Sequence, residues 1–182
     1  MFIATYWIPI AAWTVLVPLC LRSPFAGRSI ENLGHLLSNA FYNAFDILSL
    51  GLLLFVPIRP KDKRTRWWAL DIAASSFLMV QAIKWTTRLP RPSGGPDGFP
   101  SGHTTFSFAL AWAISTAYPR LTPLWFAIAA AIGWSRVEVH AHFTYQVLVG
   151  AILGCLIGWL VCAHPAGLLF PRILAQWRKR TA

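Results

Sequence analysis

The chain has 182 residues, of which 56% are hydrophobic and 12% are charged. Soluble domains carry about 25% charged residues, so this composition excludes an ordinary water-soluble domain and indicates a membrane protein. The formal net charge of +10 is high enough for a nucleic-acid-binding protein, and the positions of the basic residues decide whether that reading holds.

Six apolar stretches are candidate membrane spans, since a bilayer-spanning helix needs roughly 20 mainly apolar residues. They lie at approximately 2–21, 40–58, 67–85, 103–118, 122–137 and 143–163. These stretches use most of the chain and leave only short loops. We therefore predict an all-α fold, in which residues 1–182 form a single membrane-embedded domain built as a bundle of six transmembrane helices.

The first predicted span, 2–21, is expected to stay in the mature chain. It lacks a basic stretch at its start, it is long for the apolar region of a signal peptide, and no clear small-residue cleavage site follows it. After it, residues 26–40 place Ile30, Leu33 and Leu37 at helical spacing. This pattern predicts an amphipathic helix that lies in the membrane interface.

Basic residues are concentrated in two segments, "RPKDKRTR" at 59–66 and the C-terminal "PRILAQWRKR". The positive-inside rule places both segments on the cytoplasmic side, which agrees with six spans and puts both termini in the cytoplasm. Topology and attraction to anionic headgroups account for most of the positive charge, so we predict no nucleic-acid partner. The same topology puts the 86–102 loop and the 136–142 link together on the external face.

Metal ions and cofactors are not predicted. The three cysteines, Cys20, Cys155 and Cys162, all lie in apolar runs, and their odd number favours small buried packing residues over a disulfide or a metal site. The chain also lacks a cluster of carboxylates of the kind that holds magnesium.

The two external segments bring together basic side chains from three helix ends. They are Lys84, Arg88, Arg91 and Arg136, with His103 and His142 beside them. A single cation at a helix end is often only reaching toward water, but several that converge need an anion to offset their mutual repulsion. The planar guanidinium of arginine fits phosphate with two hydrogen bonds, so the cluster predicts a phosphate site.

The sequence "PSGH" at 100–103 offers a second device for binding an anion. Ser101 is the predicted N-cap of a helix, and Gly102 has no side chain to keep a ligand from the backbone. The exposed N–H groups and positive dipole end of that helix form an anion site. The simpler alternative is an ordinary capped helix start, but a cation such as His103 is poorly placed in a first turn unless it has a function.

Two histidines on opposite sides of a bound phosphate could divide a phosphoryl transfer between them. One would attack phosphorus and the other would protonate the departing oxygen. The surrounding cations would stabilise the developing charge, so this chemistry does not require a metal ion.

Three motifs resemble the signature of the type 2 phosphatidic acid phosphatase superfamily, which is similar to the vanadium haloperoxidases and the bacterial non-specific acid phosphatases. They are Lys84 followed after six residues by "RP" at 91–92, "PSGH" at 100–103, and "SR" at 135–136 with five residues before His142. One such motif alone would be weak, whereas three in this order and on one membrane face are specific.

The resemblance implies a role for each matching position. Some positions would hold the phosphate oxygens through cationic groups or hydrogen bonds; they are Lys84, Arg91, Ser101, Gly102 and Arg136. His103 would be the general acid. His142 would be the nucleophile that forms a phosphohistidine intermediate for water to hydrolyse.

The chain departs from the family at Gln146, where the third motif usually has an aspartate four residues after the nucleophilic histidine. On a helix Gln146 still shares a face with His142, and its amide oxygen could accept the ring N–H and fix the tautomer. It supplies no negative charge, and the analogous carboxylate-to-amide change in a serine-protease triad costs about 10⁴ in rate. Reduced activity, a substitute carboxylate and loss of catalysis remain open.

Accessory residues complete the predicted site. Glu138 is the first candidate for a substitute carboxylate because it too is four residues from His142, and Asp97 of the external loop is the second. Arg88 is expected to line the entrance or to meet a lipid headgroup. Asp46, in the external half of the second span, is expected to pair with a neighbour.

The predicted function is that of an integral membrane lipid phosphatase that needs no metal and has its active site on the periplasmic face of a bacterial inner membrane. The resemblance allows phosphatidic acid, phosphatidylglycerophosphate, undecaprenyl diphosphate or a lipid A phosphate as substrate, and the sequence does not choose among them. A lipid phosphotransferase and a non-catalytic binder of lipid phosphates stay open as alternatives, and Gln146 favours the second. The oligomeric state also stays open.

Overall fold

The computed structural model describes residues 27–37, 42–55 and 64–164. Six α-helices make up the regular structure of these residues, together with a short 3-10 turn at Pro119–Leu121. The helices are α1 Gly27–Leu36, α2 Tyr42–Phe55, α3 Arg64–Thr87, α4 Gly102–Ala117, α5 Thr122–Glu138 and α6 Thr144–Ala163. The predicted span at 2–21 and the basic C-terminal segment lie outside the described residues.

The helices agree closely with the apolar stretches of the sequence. Helices α2 to α6 follow the second to the sixth predicted span, and α1 falls within the predicted amphipathic segment at 26–40. Within the described residues, one helix, α6, meets the length and hydropathy expected of a bilayer span. Helix α4, with 16 residues, is about 24 Å long at 1.5 Å per residue. The all-α prediction therefore holds for the described residues, and the count of six spans stays a prediction.

Helix α4 lies at the centre of the bundle. It packs against α2, α3, α5 and α6, and its contact with α6 is the most extensive in the described part of the chain. Most of its side chains are buried, among them Phe108, Leu110 and Ile114. The first turn of α4 carries the "PSGH" motif, so the central packing of this helix fixes the motif relative to all its neighbours.

A row of glycines lets α6 lie directly against α4. A Cβ atom added at Gly154 would collide with the carbonyl oxygen of Thr105, and one at Gly158 would lie 2.6 Å from Cβ of Trp112. Side chains larger than hydrogen would push the helices apart. The close contact brings the start of α6 beside the start of α4, where the Ser101 N–H donates to the Gln146 carbonyl oxygen at 3.1 Å.

Helix α2 is attached to α5 by a polar and an aromatic contact. The indole N–H of Trp125 donates to the hydroxyl of Ser49 at 2.9 Å, and the ring of Phe45 lies 6.1 Å from that of Trp125 between centroids. These contacts place the first turn of α2 against the first turn of α4.

The outer surface of the bundle is unusually apolar. Large hydrophobic side chains are exposed on α2, α3, α5 and α6; they include Ile47, Phe77, Leu78, Trp85, Leu124, Ile152 and Trp159. Several polar side chains are instead fully buried, such as Ser107 and Asp71. An apolar exterior around a partly polar interior suits a lipid environment better than water.

Candidate active site

The loop between α3 and α4 folds back over the end of the bundle. Arg88, Gly94 and Asp97 have positive φ angles of 50°, 86° and 62°, which turn the chain sharply. The Gly98 N–H donates to the carbonyl oxygen of Leu89 at 2.7 Å and closes the loop. This geometry brings Arg91, near the start of the loop, to the same end of the molecule as Ser101.

Gly98 lies where the loop touches the start of α6. A Cβ atom here would stand 2.7 Å from the Pro90 carbonyl oxygen and 2.9 Å from the Nε2 atom of Gln146. Real Cβ atoms do not approach other atoms so closely, so this contact requires glycine.

His142 lies in the turn between α5 and α6, with 3% of its side chain exposed. Its own N–H and that of Ala141 both donate to the carbonyl oxygen of Arg136, at 3.0 and 3.1 Å. Its ring Nδ1 lies 2.8 Å from the Gly98 carbonyl oxygen and 3.1 Å from Oε1 of Gln146. Because both partners are acceptors, Nδ1 carries the proton and Nε2 keeps a free lone pair.

Gln146 has a fully buried side chain whose amide is held on both sides. Its Oε1 accepts the backbone N–H of Phe143 at 3.2 Å, in addition to the proton on Nδ1 of His142. Its Nε2 donates to the Pro90 carbonyl oxygen at 2.9 Å and to the hydroxyl of Tyr145 at 3.2 Å. These partners leave one orientation for the amide.

The pKa of His142 is lowered from 6.5 to about 4. Burial is the largest cause, and the charges of Arg136 and Arg91 act in the same direction. The hydrogen bonds to Gln146 and Gly98 oppose the shift without overcoming it. In the absence of an anionic ligand, the imidazole of His142 is therefore neutral at physiological pH.

The start of α4 differs in detail from the predicted capped helix. Ser101 is the N-cap residue, but its side chain makes no capping hydrogen bond; its hydroxyl oxygen accepts the Thr104 hydroxyl at 2.9 Å. Among the described residues, a Cβ at Gly102 would meet only Val80, at 3.5 Å, which is an ordinary contact. The space at Gly102 is therefore compatible with, but does not demand, a ligand close to the backbone.

The predicted cationic residues and the two histidines lie close enough together to influence one another electrostatically. His103 lies within electrostatic range of Arg136, His142, Lys84 and Arg91, and Lys84 lies within range of Arg91 and Arg136. The structure thus gathers these five residues at one end of the bundle. Arg136 is 9% exposed, and Nε of Arg91 is buried without a hydrogen-bond partner in the described part of the chain. A concentration of positive charge with so little water around it favours an anion at its centre.

Arg88 and Asp97 pair with each other at the edge of the loop. Nη1 of Arg88 lies 3.3 Å from both carboxylate oxygens of Asp97, and the arginine side chain is 64% exposed. The carboxylate of Asp97 is thus paired with Arg88, whereas Nδ1 of His142 contacts Gly98 and Gln146.

Glu138 does not share a helix face with His142, contrary to the basis of its prediction. Helix α5 ends at Glu138, and His140, with φ of 54°, turns the chain before His142. The side chain of Glu138 instead packs against α1, where a Cβ at Gly34 would lie 3.0 Å from its Cγ. The acceptors that His142 uses are Gly98 and Gln146.

Tyr42 was missed by the sequence analysis. Its ring lies 4.1 Å from that of His103 between centroids, and its hydroxyl is hydrogen-bonded to Asp46, one turn further along α2. Tyr42 is therefore the neighbour with which Asp46, as predicted, forms a pair. A tyrosine four residues before an aspartate in an apolar helix was the available signal, because a buried carboxylate needs a partner.

Comparison with known proteins gives a family match and several partial relatives. Residues 65–167 match the PAP2 superfamily. Human glucose-6-phosphatase 3 is 31% identical over 112 residues, which cover 54% of this chain and 31% of that protein. Lipid A 1-phosphatase of Porphyromonas gingivalis is 34% identical over 87 residues, covering 45% of this chain and 20% of that protein. The chain thus spans about a third or less of these relatives.

Two crystal structures share the fold. LpxE of Aquifex aeolicus superposes with a TM-score of 0.59 at 21% identity, covering 90% of this chain and 100% of that one. A transmembrane PAP2-type phosphatidylglycerolphosphate phosphatase of Bacillus subtilis superposes with a TM-score of 0.55 at 22% identity, covering 86% of this chain and 83% of that one. At these identities the likeness concerns the fold.

Proposed function

The chain belongs to the PAP2 superfamily, and from this premise we propose that it is an integral membrane lipid phosphatase. One observation carries the proposal: His142 and His103 lie within one cluster of cationic side chains, those of Lys84, Arg91 and Arg136. In this cluster Nε2 of His142 is unprotonated. These residues come from α3, the following loop, α4, the end of α5 and the turn before α6, and the repulsion among their cationic groups needs a functional reason.

The cationic side chains hold the phosphate in this proposal. Lys84, Arg91 and Arg136 would surround its oxygens, while Ser101 and the backbone of Gly102 would contribute hydrogen bonds at the start of α4. Arg91 supports this role because its buried Nε has no partner within the described residues, so a phosphate oxygen would satisfy it.

Catalysis then proceeds in two displacements. The lone pair on Nε2 of His142 attacks phosphorus, the bond to the leaving oxygen breaks, and His103 donates a proton to that oxygen. Water then attacks phosphorus, the bond between phosphorus and Nε2 of His142 breaks, His103 accepts the proton of the water, and inorganic phosphate leaves. The cations stabilise the charge on the phosphoryl oxygens in both steps, which makes a metal ion unnecessary in this scheme.

The substrate in this proposal is a lipid because the site lies at one end of a bundle with an apolar exterior. Trp85 of α3 and Phe143 before α6, both near the site, are 66% and 41% exposed. Acyl or prenyl chains can lie along such a surface while the phosphate enters the cluster. The bundle is proposed to span a bacterial inner membrane, with this end on the periplasmic side.

Phosphate release by detergent-purified protein tests the proposal. The substrates are phosphatidic acid, phosphatidylglycerophosphate, undecaprenyl diphosphate and a lipid A phosphate, with glucose 6-phosphate as a soluble comparison, each assayed with a chelator and with His142→Ala. We expect chelator-resistant release from at least one lipid, abolished in His142→Ala. Loss of activity with the chelator would contradict the metal-free scheme, and faster hydrolysis of glucose 6-phosphate than of every lipid would contradict the substrate class.

A non-catalytic binder of lipid phosphates is the second candidate, and it is favoured by the amide of Gln146 facing His142 where a carboxylate would supply charge. It predicts lipid-phosphate binding that survives His142→Ala and no phosphate release from either form.

A further inference from the structure

We propose that the backbone carbonyl of Gly98 is the main group orienting the nucleophilic His142, and that Gln146 is a positioning residue whose amide holds the loop carrying that carbonyl against α6. This inference rests on the proposed function and deepens it. It explains why the chain has an amide where its family usually has an aspartate, and it predicts that restoring a carboxylate impairs the site.

The distances identify the carbonyl as the closer partner. Nδ1 of His142 lies 2.8 Å from the Gly98 carbonyl oxygen and 3.1 Å from Oε1 of Gln146. Two neutral acceptors thus share one N–H, and the shorter contact is to the backbone. The tautomer that leaves Nε2 free is therefore set even without a carboxylate.

The surroundings of the Gln146 side chain require it to supply both a hydrogen-bond donor and an acceptor. Its Oε1 faces two N–H groups, those of Phe143 and His142, and its Nε2 faces the carbonyl oxygen of Pro90. An ionised carboxylate satisfies the first side but has no proton for Pro90, so two oxygens with partial or full negative charge would meet at about 2.9 Å. The position is built for an amide.

The position of the Gly98 carbonyl depends on the bracket, by which we mean the hydrogen bonds of the Gln146 amide to Pro90, Phe143 and His142. Pro90 and Gly98 are adjacent in space, because the Gly98 N–H donates to the neighbouring Leu89 carbonyl at 2.7 Å, and both touch Gln146. Holding Pro90 therefore also holds Gly98 over Nδ1 of His142. Arg91 follows Pro90 directly in the chain, so the same bracket fixes a phosphate-binding side chain relative to the nucleophile.

Orthovanadate affinity and phosphate-release kinetics test the bracket together. Vanadate binds in a phosphoryl site and bonds to a nucleophilic histidine, so its affinity reports the placement of His142 and Arg91 without needing turnover. The variants are Gln146→Glu, which keeps the acceptor and loses the donor; Gln146→Met, which loses both; and Gln146→Asp, which restores the usual family residue. Measurements are made at about pH 8.5, where carboxylates are ionised, and well below each melting temperature.

We expect all three variants to bind vanadate at least ~10-fold more weakly than the wild type, the size of effect that a lost buried hydrogen bond produces. Their kcat should fall and their KM should rise together, because the nucleophile and Arg91 are both displaced. A role confined to folding would lower the melting temperature and leave these constants unchanged in the folded protein. Ser49→Ala is the matched control, since it removes a buried hydrogen bond, the one donated by Trp125, that involves neither the loop nor α6; it should stay within about twofold of the wild type.

Gln146→Glu or Gln146→Asp with wild-type or higher vanadate affinity and turnover would overturn the inference, as would a Gln146→Met variant that binds and turns over like the wild type. A wild type that binds vanadate in a Gln146-dependent way but releases no phosphate would refute the proposed function and leave the bracket standing. A wild type that neither binds vanadate nor releases phosphate would refute both.

Discussion

His142 combines burial with two neutral hydrogen-bond acceptors, and this combination decides its protonation. Removal from water and the nearby arginines lower its pKa to about 4, because both disfavour the imidazolium. A carboxylate partner would act in the opposite direction. These surroundings therefore keep His142 unprotonated over a wider acidic range than a histidine of ordinary pKa.

The pH dependence of catalysis follows from this shift. In the proposed mechanism the free protein needs neutral His142 and protonated His103, so the acid limb of kcat/KM, corrected for the ionisation of the substrate, should appear only as the pH approaches 4. A decrease toward higher pH would report His103 instead. The measurement is kcat/KM for one lipid substrate from pH 7.5 down to about 4. An acid limb near pH 6.5 that is present in the wild type and shifts in Gln146→Glu would show that His142 titrates normally.

Stability should respond to acid in the same window. The pKa of His142 is about 4 in the folded state and 6.5 in the unfolded state, so between these values the unfolded state binds more protons and stability falls as the pH is lowered. The contribution is complete above pH 6.5. Thermal unfolding in detergent at pH 7 and pH 5 should show a smaller acid-induced loss in His142→Gln than in the wild type, and an equal loss would contradict this account.

Tyr42 is expected to position His103 through its ring. Replacing Tyr42 by leucine removes the ring contact at 4.1 Å, which is worth about 0.5–1.5 kcal/mol for an aromatic pair, so kcat should fall ~3- to 10-fold. Tyr42→Phe keeps the ring and loses only the hydrogen bond to Asp46, so its kcat should fall less. Equal losses of kcat in the two variants would assign the effect to the hydroxyl instead.

At the scale of the elements, apolar run length predicted the helices well. Helices α2 to α6 follow predicted spans because long stretches of apolar residues without breakers favour continuous helix, and the prolines and glycines of the 88–100 loop end α3. Helix ends were less predictable. The prediction for Glu138 assumed that α5 continues to His142, whereas the helix ends at Glu138 and the chain turns at His140.

The α4–α6 contact should be sensitive to any side chain at Gly154. A Cβ there would collide with the Thr105 carbonyl oxygen, so Gly154→Ala should lower the free energy of unfolding by about 1–3 kcal/mol, the usual range for overpacking. Thermal unfolding in detergent measures it. Gly51→Ala in α2 is the control, because its Cβ would meet no described residue within 4 Å; it should be neutral or stabilising by up to ~1 kcal/mol. Similar losses at both glycines would argue against close helix packing as the cause.

At the scale of the whole molecule, the helices place the two histidines and three cations at one end and the α4–α5 turn at the other. Helix α4 runs from the site at Gly102 to Ala117, and the turn at Pro119–Leu121 follows. A membrane topology that places the site outside must therefore place this turn inside.

Labelling with a membrane-impermeant maleimide checks that topology. In a cysteine-free background, Ser93→Cys and His140→Cys lie on exposed positions near the site, and Arg120→Cys lies on an exposed position in the opposite turn. The first two should react in intact spheroplasts, and the third only after the membrane is permeabilised. Reaction of Ser93→Cys and Arg120→Cys from the same side would exclude a bundle that crosses the membrane in this way.

The helical segments, the cationic and histidine motifs and the family follow from the amino-acid sequence alone, because each depends on residue type and local spacing. The groups that contact His142 became known only from the way distant segments pack together. The amide of Gln146 meets a carbonyl 56 positions earlier in the chain, the Gly98 carbonyl reaches the ring from 44 positions away, and Tyr42 lies on His103 across two helices. Backbone carbonyls carry no signature in the sequence, and contacts between distant segments are set by helix packing rather than by local pattern.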